Sequence, residues 1–108
     1  MEVFFSIAKD YTIHPGPRYE RQGPWSAEKL MKTALRNLFK QTKEQGNKLI
    51  IDLDGTKGYA TSFLEEIFGG LAREFGASNV LSHMEIKSTR PRYKDESYMY
   101  IDDVKNKT

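Results

Sequence analysis

Asp52-Leu53-Asp54-Gly55-Thr56 puts two carboxylates two positions apart, at the end of the apolar run 48–53. That pair suits phosphoryl transfer. One Asp attacks phosphorus, the other moves a proton, and a Mg²⁺ ion neutralises charge. Thr61-Ser62-Phe63-Leu64-Glu65 follows closely. Ser62 with Glu65 three residues on has the spacing of a capping box at a helix start. A serine there also suits an added phosphate, because the helix dipole and free N–H groups favour negative charge. Such a group brings roughly −1.5 to −2 charge units and changes what docks. A third group is basic and aromatic: Arg18, Tyr19, Arg21 and Trp25, then Lys87, Arg90, Arg92, Tyr93 and Lys94. Together they resemble a stacking and phosphate-contacting surface.

Size and charge restrain these readings. With 108 residues the chain is one domain, with room for one core and one small site. Seventeen Lys+Arg against 15 Asp+Glu leave a net charge of +2, too little to make nucleic acid the main partner. There is no cysteine, so disulfides, thiolate metal sites and Cys nucleophiles are excluded. His14 and His83 lie apart, without the spacing of a helical metal pair, and no metal site is expected. No apolar run approaches the ~18 residues of a membrane span. Residues 1–10 lack the basic start and long apolar core of a signal peptide, so a cytoplasmic location is the default. The Asp-x-Asp-Gly-Thr string matches the opening motif of haloacid-dehalogenase-like phosphatases. There it normally lies on the first strand. Here a strand and a long helix precede it, and too few residues follow to carry the rest of that site. A strand closing in an Asp-Gly turn is the preferred reading, with a small Mg²⁺-dependent phosphatase using Asp52 and Asp54 as the alternative.

The elements that must position these residues follow from periodicity. Residues 3–8 are apolar and rich in β-formers, a strand. Residues 9–24 hold Pro15, Pro17 and Pro24, a loop with room for a short second strand near Thr12 or Arg18 to Arg21. Ser26 caps a helix that runs to Gly46, with Trp25 and Leu30 at the spacing of a hydrophobic staple. Residues 48–53 read as a strand covered on both faces. A second helix carries Phe63, Leu64, Ile67, Phe68, Leu71 and Phe75 and stops at Gly76. Gly69-Gly70 inside it implies close helix–sheet packing. Residues 80–87 read as a further strand. Pro91 opens a last helix to about Val104, and residues 105–108 form a frayed polar tail. The order β-(β)-α-β-α-β-α predicts an α/β sandwich with a mixed sheet of about four strands and helices packed on it.

Asp52 to Glu66, followed by Phe68-Gly69-Gly70-Leu71, resembles the core of the bacterial STAS-like domain of unknown function. Gly23-Pro24-Trp25-Ser26-Ala27-Glu28-Lys29 resembles that family's lead-in to its first helix. The resemblance covers about residues 15–88 and implies one STAS-like domain over 1–108. The wider STAS fold includes anti-sigma factor antagonists, in which a Ser of an Asp-Ser-Ser-Gly-Leu string accepts phosphate. Aligned on the strand, that Ser falls on Ser62 and its neighbour on Thr61. Ala60 replaces the Asp of the string and Phe63 replaces the Gly. The resemblance therefore implies a non-enzymatic interaction domain without a cofactor of its own. Its protein partner would be an ATPase of histidine-kinase type. The partner-binding surface would comprise Gly55, Thr56, Lys57, Gly58, Tyr59 and Phe63, with Gly58 giving the loop an unusual backbone and Tyr59 an exposed anchor. Ser62 or Thr61 would be the phospho-acceptor.

Overall fold

A computed structural model describes residues 1–106. Strand β1 (Glu2–Ser6) leads directly into a single helical turn, α1 (Ile7–Asp10). A proline-rich loop with one 3₁₀ turn (Glu20–Gln22) follows. Helix α2 spans 27–44, strand β2 Lys48–Asp52, and helix α3 61–75. Helix α4 (Ala77–His83), strand β3 (Met84–Lys87) and helix α5 (Pro91–Asn106) complete the chain.

The three strands form one parallel sheet in the order β1-β2-β3. Helices α2 and α3 are the crossovers. Because both steps go the same way along the sheet and such crossovers are right-handed, both helices fall on one face. Phe5, Leu49, Ile51, Met84 and Ile86 point into that face and join Leu30, Leu35, Phe39, Phe63, Phe68 and Leu71 in a single core. Helix α5 packs on α3 and α4 and closes the β3 edge, where the Ile86 N–H donates to the Tyr98 hydroxyl at 3.0 Å.

The sheet thus has three strands rather than about four, and it is wholly parallel rather than mixed. The missing strand is the loop 11–25. Its three prolines lack N–H groups, and its backbone bonds elsewhere. Gly16 N–H donates to Trp25 O, while Pro17 O and Arg18 O accept from Ala27 and Glu28 at the start of α2. The first strand stops at Ser6 rather than Ala8. The Ser6 hydroxyl accepts from Lys9 N–H and the Asp10 carboxylate accepts from Ser6 N–H, a reciprocal cap that turns Ile7 and Ala8 into helix. The third strand starts at Met84 rather than Val80. Gly76 ends α3 as expected, but a new helix begins at once, with the Asn79 amide donating back to Phe75 O at 2.8 Å. Helix α5 extends to Asn106, so Lys105 and Asn106 are helical rather than a frayed tail. Lys107 and Thr108 of that expected tail lie outside the described residues.

Ser26 does cap α2, accepting from Lys29 N–H at 3.0 Å. Trp25 does not staple it. The indole is half-exposed, at φ +57°, and stands edge-on against Tyr11 with centroids 5.4 Å apart. Helices α2 and α3 each contain one π turn, Met31–Leu35 and Glu65–Gly69. The glycine pair serves helix and side-chain contacts rather than packing on the sheet. A Cβ on Gly70 would meet Met31 of α2 at 3.5 Å, and one on Gly69 would meet the Glu65 carboxylate.

Candidate functional site

In parallel sheets the loops leaving the C-terminal strand ends gather functional groups. Here the loops after β2 and β3 meet there. Asp52 ends β2 by accepting Asp54 N–H on its Oδ1 at 2.9 Å, which tightens the Asp-Gly turn. Asp54 turns the other way. Its carboxylate accepts the Thr89 N–H at 2.9 and 3.1 Å and the Thr89 hydroxyl at 3.0 Å. These bonds, the backbone N–H first, hold the Asp54 carboxyl below the usual carboxylate range. The two carboxylates do not face each other across an open cleft. Among the described residues no group of three or more His, Asp or Glu could hold a metal ion.

The loop 55–60 is latched from both sides. Arg90 donates to the Thr56 hydroxyl at 3.1 Å, and its guanidinium lies 4.7 Å from the centre of the Tyr93 ring. Lys57 N–H donates to Ile13 O. Gly58 has φ +140°, and a Cβ there would meet the Tyr93 hydroxyl at 3.1 Å, so the expected unusual backbone is present and required. Tyr59, expected as an exposed anchor, is buried instead. Its hydroxyl donates to Leu53 O at 2.8 Å and its ring packs on Phe63 and Tyr93. Burial pushes the Tyr59 phenol pKa up. Phe63 and Thr56 are buried too. Of the six residues assigned to a partner surface, only Gly55 and Lys57 are exposed, with Gly58 half-buried.

Helix α3 starts at Thr61, with Ala60 in the cap position and no side-chain cap. The expected capping box between Ser62 and Glu65 does not form: the helix starts one residue before Ser62, so Ser62 lies inside the first turn rather than at the cap, and ion pairs hold Glu65. Arg18, from the proline-rich loop, donates to both Glu65 and Glu66, and Arg73 holds the other oxygen of Glu65 at 2.6 Å. Burial pushes the Glu65 carboxyl up, but its bonds to Arg73 and Arg18 outweigh that and lower it. The Ser62 hydroxyl is left half-buried with no hydrogen bond to a described residue. Thr61 is exposed, beside the Tyr100 phenol. Burial is the main reason that phenol's pKa is raised.

The basic and aromatic residues are largely spent on such pairs. Arg18 and Arg21 lie over the Tyr19 ring, and Arg92 pairs with Glu96. Arg90, Thr89 and Arg18 are the positioning residues that the loop motifs themselves did not reveal. The readable signal was Ser88-Thr89-Arg90, hydrogen-bonding residues in the turn just before Pro91. A groove of about 440 Å³ lies apart from this loop, between α2 and α3, lined by Glu28, Met31, Arg36, Glu66 and Arg73 among others.

A model of the family described as the STAS-like domain of unknown function matches residues 26–94. The chain belongs to this family. The match runs from the capping Ser26 of α2 to Lys94 in α5. It takes in the Asp54 latch, Ser62 and the Arg90 contact of this STAS-like domain, and leaves the Pro15–Trp25 loop outside. No curated protein and no solved structure matches the chain. Among the described residues, no helix is long and apolar enough to cross a membrane.

Proposed function

We propose that this STAS-like domain is a non-enzymatic regulatory module of a bacterial cytoplasm, recognised by a protein partner and switched by phosphate on Ser62. The observation that carries this reading is the Ser62 hydroxyl. It sits in the first turn of α3 with no bond of its own, beside the ion pairs of Arg18. Glu65 and Glu66 stand three and four positions on from Ser62, on the same helix face. A phosphate on Ser62 repels both carboxylates and competes with them for Arg18. Arg18 belongs to the Pro15–Trp25 loop, so a charge added at Ser62 reaches that loop directly. The partner surface is then Gly55, Lys57, Ala60 and Thr61, framed by the loop that Arg18 anchors.

The resemblance points to an ATPase of histidine-kinase type as the partner. Titration calorimetry against such an ATPase from the same cell tests this. Ser62→Glu is expected to change affinity at least ~10-fold relative to Ser62→Ala, about 1.4 kcal/mol. Equal affinities would remove the switch. The phosphatase reading gains no support from Asp52 and Asp54, whose carboxylates are committed to Asp54 N–H and Thr89. Turnover of a generic phosphomonoester with Mg²⁺, abolished by Asp52→Asn, would overturn the non-enzymatic reading.

A further inference from the structure

Trp25 is the one tryptophan of the chain and, among the described residues, the one residue besides glycine with a positive φ. At φ +57° its Cβ crowds the following carbonyl, so a bulky side chain there is strained. Such strain persists only where the surroundings hold it, and it collects at functional sites. Here the holding contacts are specific. Gly16 N–H donates to Trp25 O at 2.9 Å, and the Tyr11 hydroxyl donates to Ser26 O at 2.8 Å. Gly16 comes so close that a Cβ on it would lie 2.2 Å from Pro24 O.

The fold draws little from this residue. The indole is 44% exposed and belongs neither to the core nor to the apolar residues packed against it. Leu30, its expected staple partner, is fully buried without it. The ring stands edge-on to Tyr11, and Lys29 Nζ lies 5.8 Å from its centroid. Lys29 and Arg21 make no ion pair among the described residues. The carboxylates of this segment are engaged. Glu20 pairs with Lys32 at 2.6 Å, and Glu28 accepts the Glu20 N–H at 2.9 Å. An exposed indole beside an uncompensated cation complements an apolar pocket with an acidic rim.

We infer that Trp25 is the anchor by which a protein partner, offering an apolar pocket rimmed by acidic side chains, holds this domain. Tryptophan is among the side chains that most often carry binding energy, because it brings a large, rigid apolar surface. An anchor of this kind rests on the reading of the domain as a partner-bound module. It takes the part expected of Tyr59, which is buried. Trp25 also shares its loop with Arg18, which pairs with Glu65 and Glu66, so the anchor is tied to the helix turn that follows Ser62.

With one tryptophan in the chain, fluorescence reads this site alone. Iodide should quench it more strongly than caesium, and Lys29→Glu should bring the two ions level. Asn adopts the left-handed region readily. Trp25→Asn should therefore melt within about 4 °C of the parent or above it. Titrated with the kinase-type ATPase, Trp25→Asn should lose at least ~30-fold in affinity, and the parent's affinity should fall as salt rises. Stronger quenching by caesium, or quenching by neither ion, overturns the proposal. So does a Trp25→Asn chain that melts further below the parent, because the indole then serves the fold. So does an ATPase that binds the parent and Trp25→Asn alike, a result that leaves the Ser62 switch standing. An ATPase that fails to bind the parent removes the kinase-type partner instead, and the quenching and the melt then decide on Trp25.

Discussion

The Asp54 carboxylate accepts both the backbone N–H and the hydroxyl of Thr89, tying the loop after β2 to the loop after β3. This bond decides what Asp54 is for. A carboxylate holding a neighbouring backbone in place positions the loop that carries Thr56 and leads to Ser62.

The latch makes stability depend on pH. The Asp54 carboxyl titrates below its ordinary value in the folded state, chiefly because the Thr89 N–H bonds its ionised form. Its contribution is therefore fully present above the unfolded value of about 3.9 and is lost as pH falls through the folded value. Asp54→Asn is expected to cost about 1 kcal/mol at neutral pH, the low end for a charged acceptor because solvent reaches it. The variant should also show a flatter fall in stability below about pH 4. Urea unfolding of both proteins at several pH values measures this.

Two glycines should respond oppositely to alanine. A Cβ on Gly16 would lie 2.2 Å from Pro24 O and 3.0 Å from Trp25 O, backbone atoms that cannot swing aside. Gly16→Ala is expected to lose about 2–3 kcal/mol as the loop is forced off α2. A Cβ on Gly69 would lie 2.3 Å from Glu65 Oε2, the end of a flexible side chain. Gly69→Ala gains up to ~1 kcal/mol of helix propensity and loses an ion pair worth ~0–1 kcal/mol. Its melting temperature should stay close to that of the parent. Calorimetric melts of the two variants separate the cases.

Arg18 is expected to carry the signal from Ser62 to the proline-rich loop. Arg18→Gln removes the cation shared by Glu65 and Glu66, and on a partly exposed site should cost no more than about 1 kcal/mol. In the parent chain, Ser62→Glu should shift the backbone amide resonances of residues 15–25. In the Arg18→Gln background that response should vanish. An unchanged response would mean that the charge acts by another route.

Much of this was legible in the residues. The cap at Ser26, the buried strand ending in Asp-Gly, the apolar face of α3 and the break at Gly76 all follow local rules that tertiary contacts did not override. The losses have physical causes. A four-residue helix at Ile7 depended on Ser6 and Asp10 side chains in a stretch whose apolar residues say strand. Residues 80–83 are equally at home in helix or strand, and the Asn79 bond to Phe75 O decides. Tyr59 looked exposed because it follows a glycine in a loop, yet the meeting of two loops buries it. Glu65 has capping spacing from Ser62, but the helix starts one residue earlier, at Thr61, and Arg18, 47 residues away in sequence, takes the Glu65 carboxylate. Pairings between distant loops cannot be read from spacing along the chain.

The central claim is that Ser62 is the site of a switch. Peptide-mapped mass spectrometry of the natively expressed protein, sampled across growth conditions, tests it most directly. The account predicts one phosphate on Ser62 in some conditions, lost in Ser62→Ala. Ser62 unmodified in every condition, with Ser62→Glu binding the kinase-type ATPase as the parent does, would contradict it.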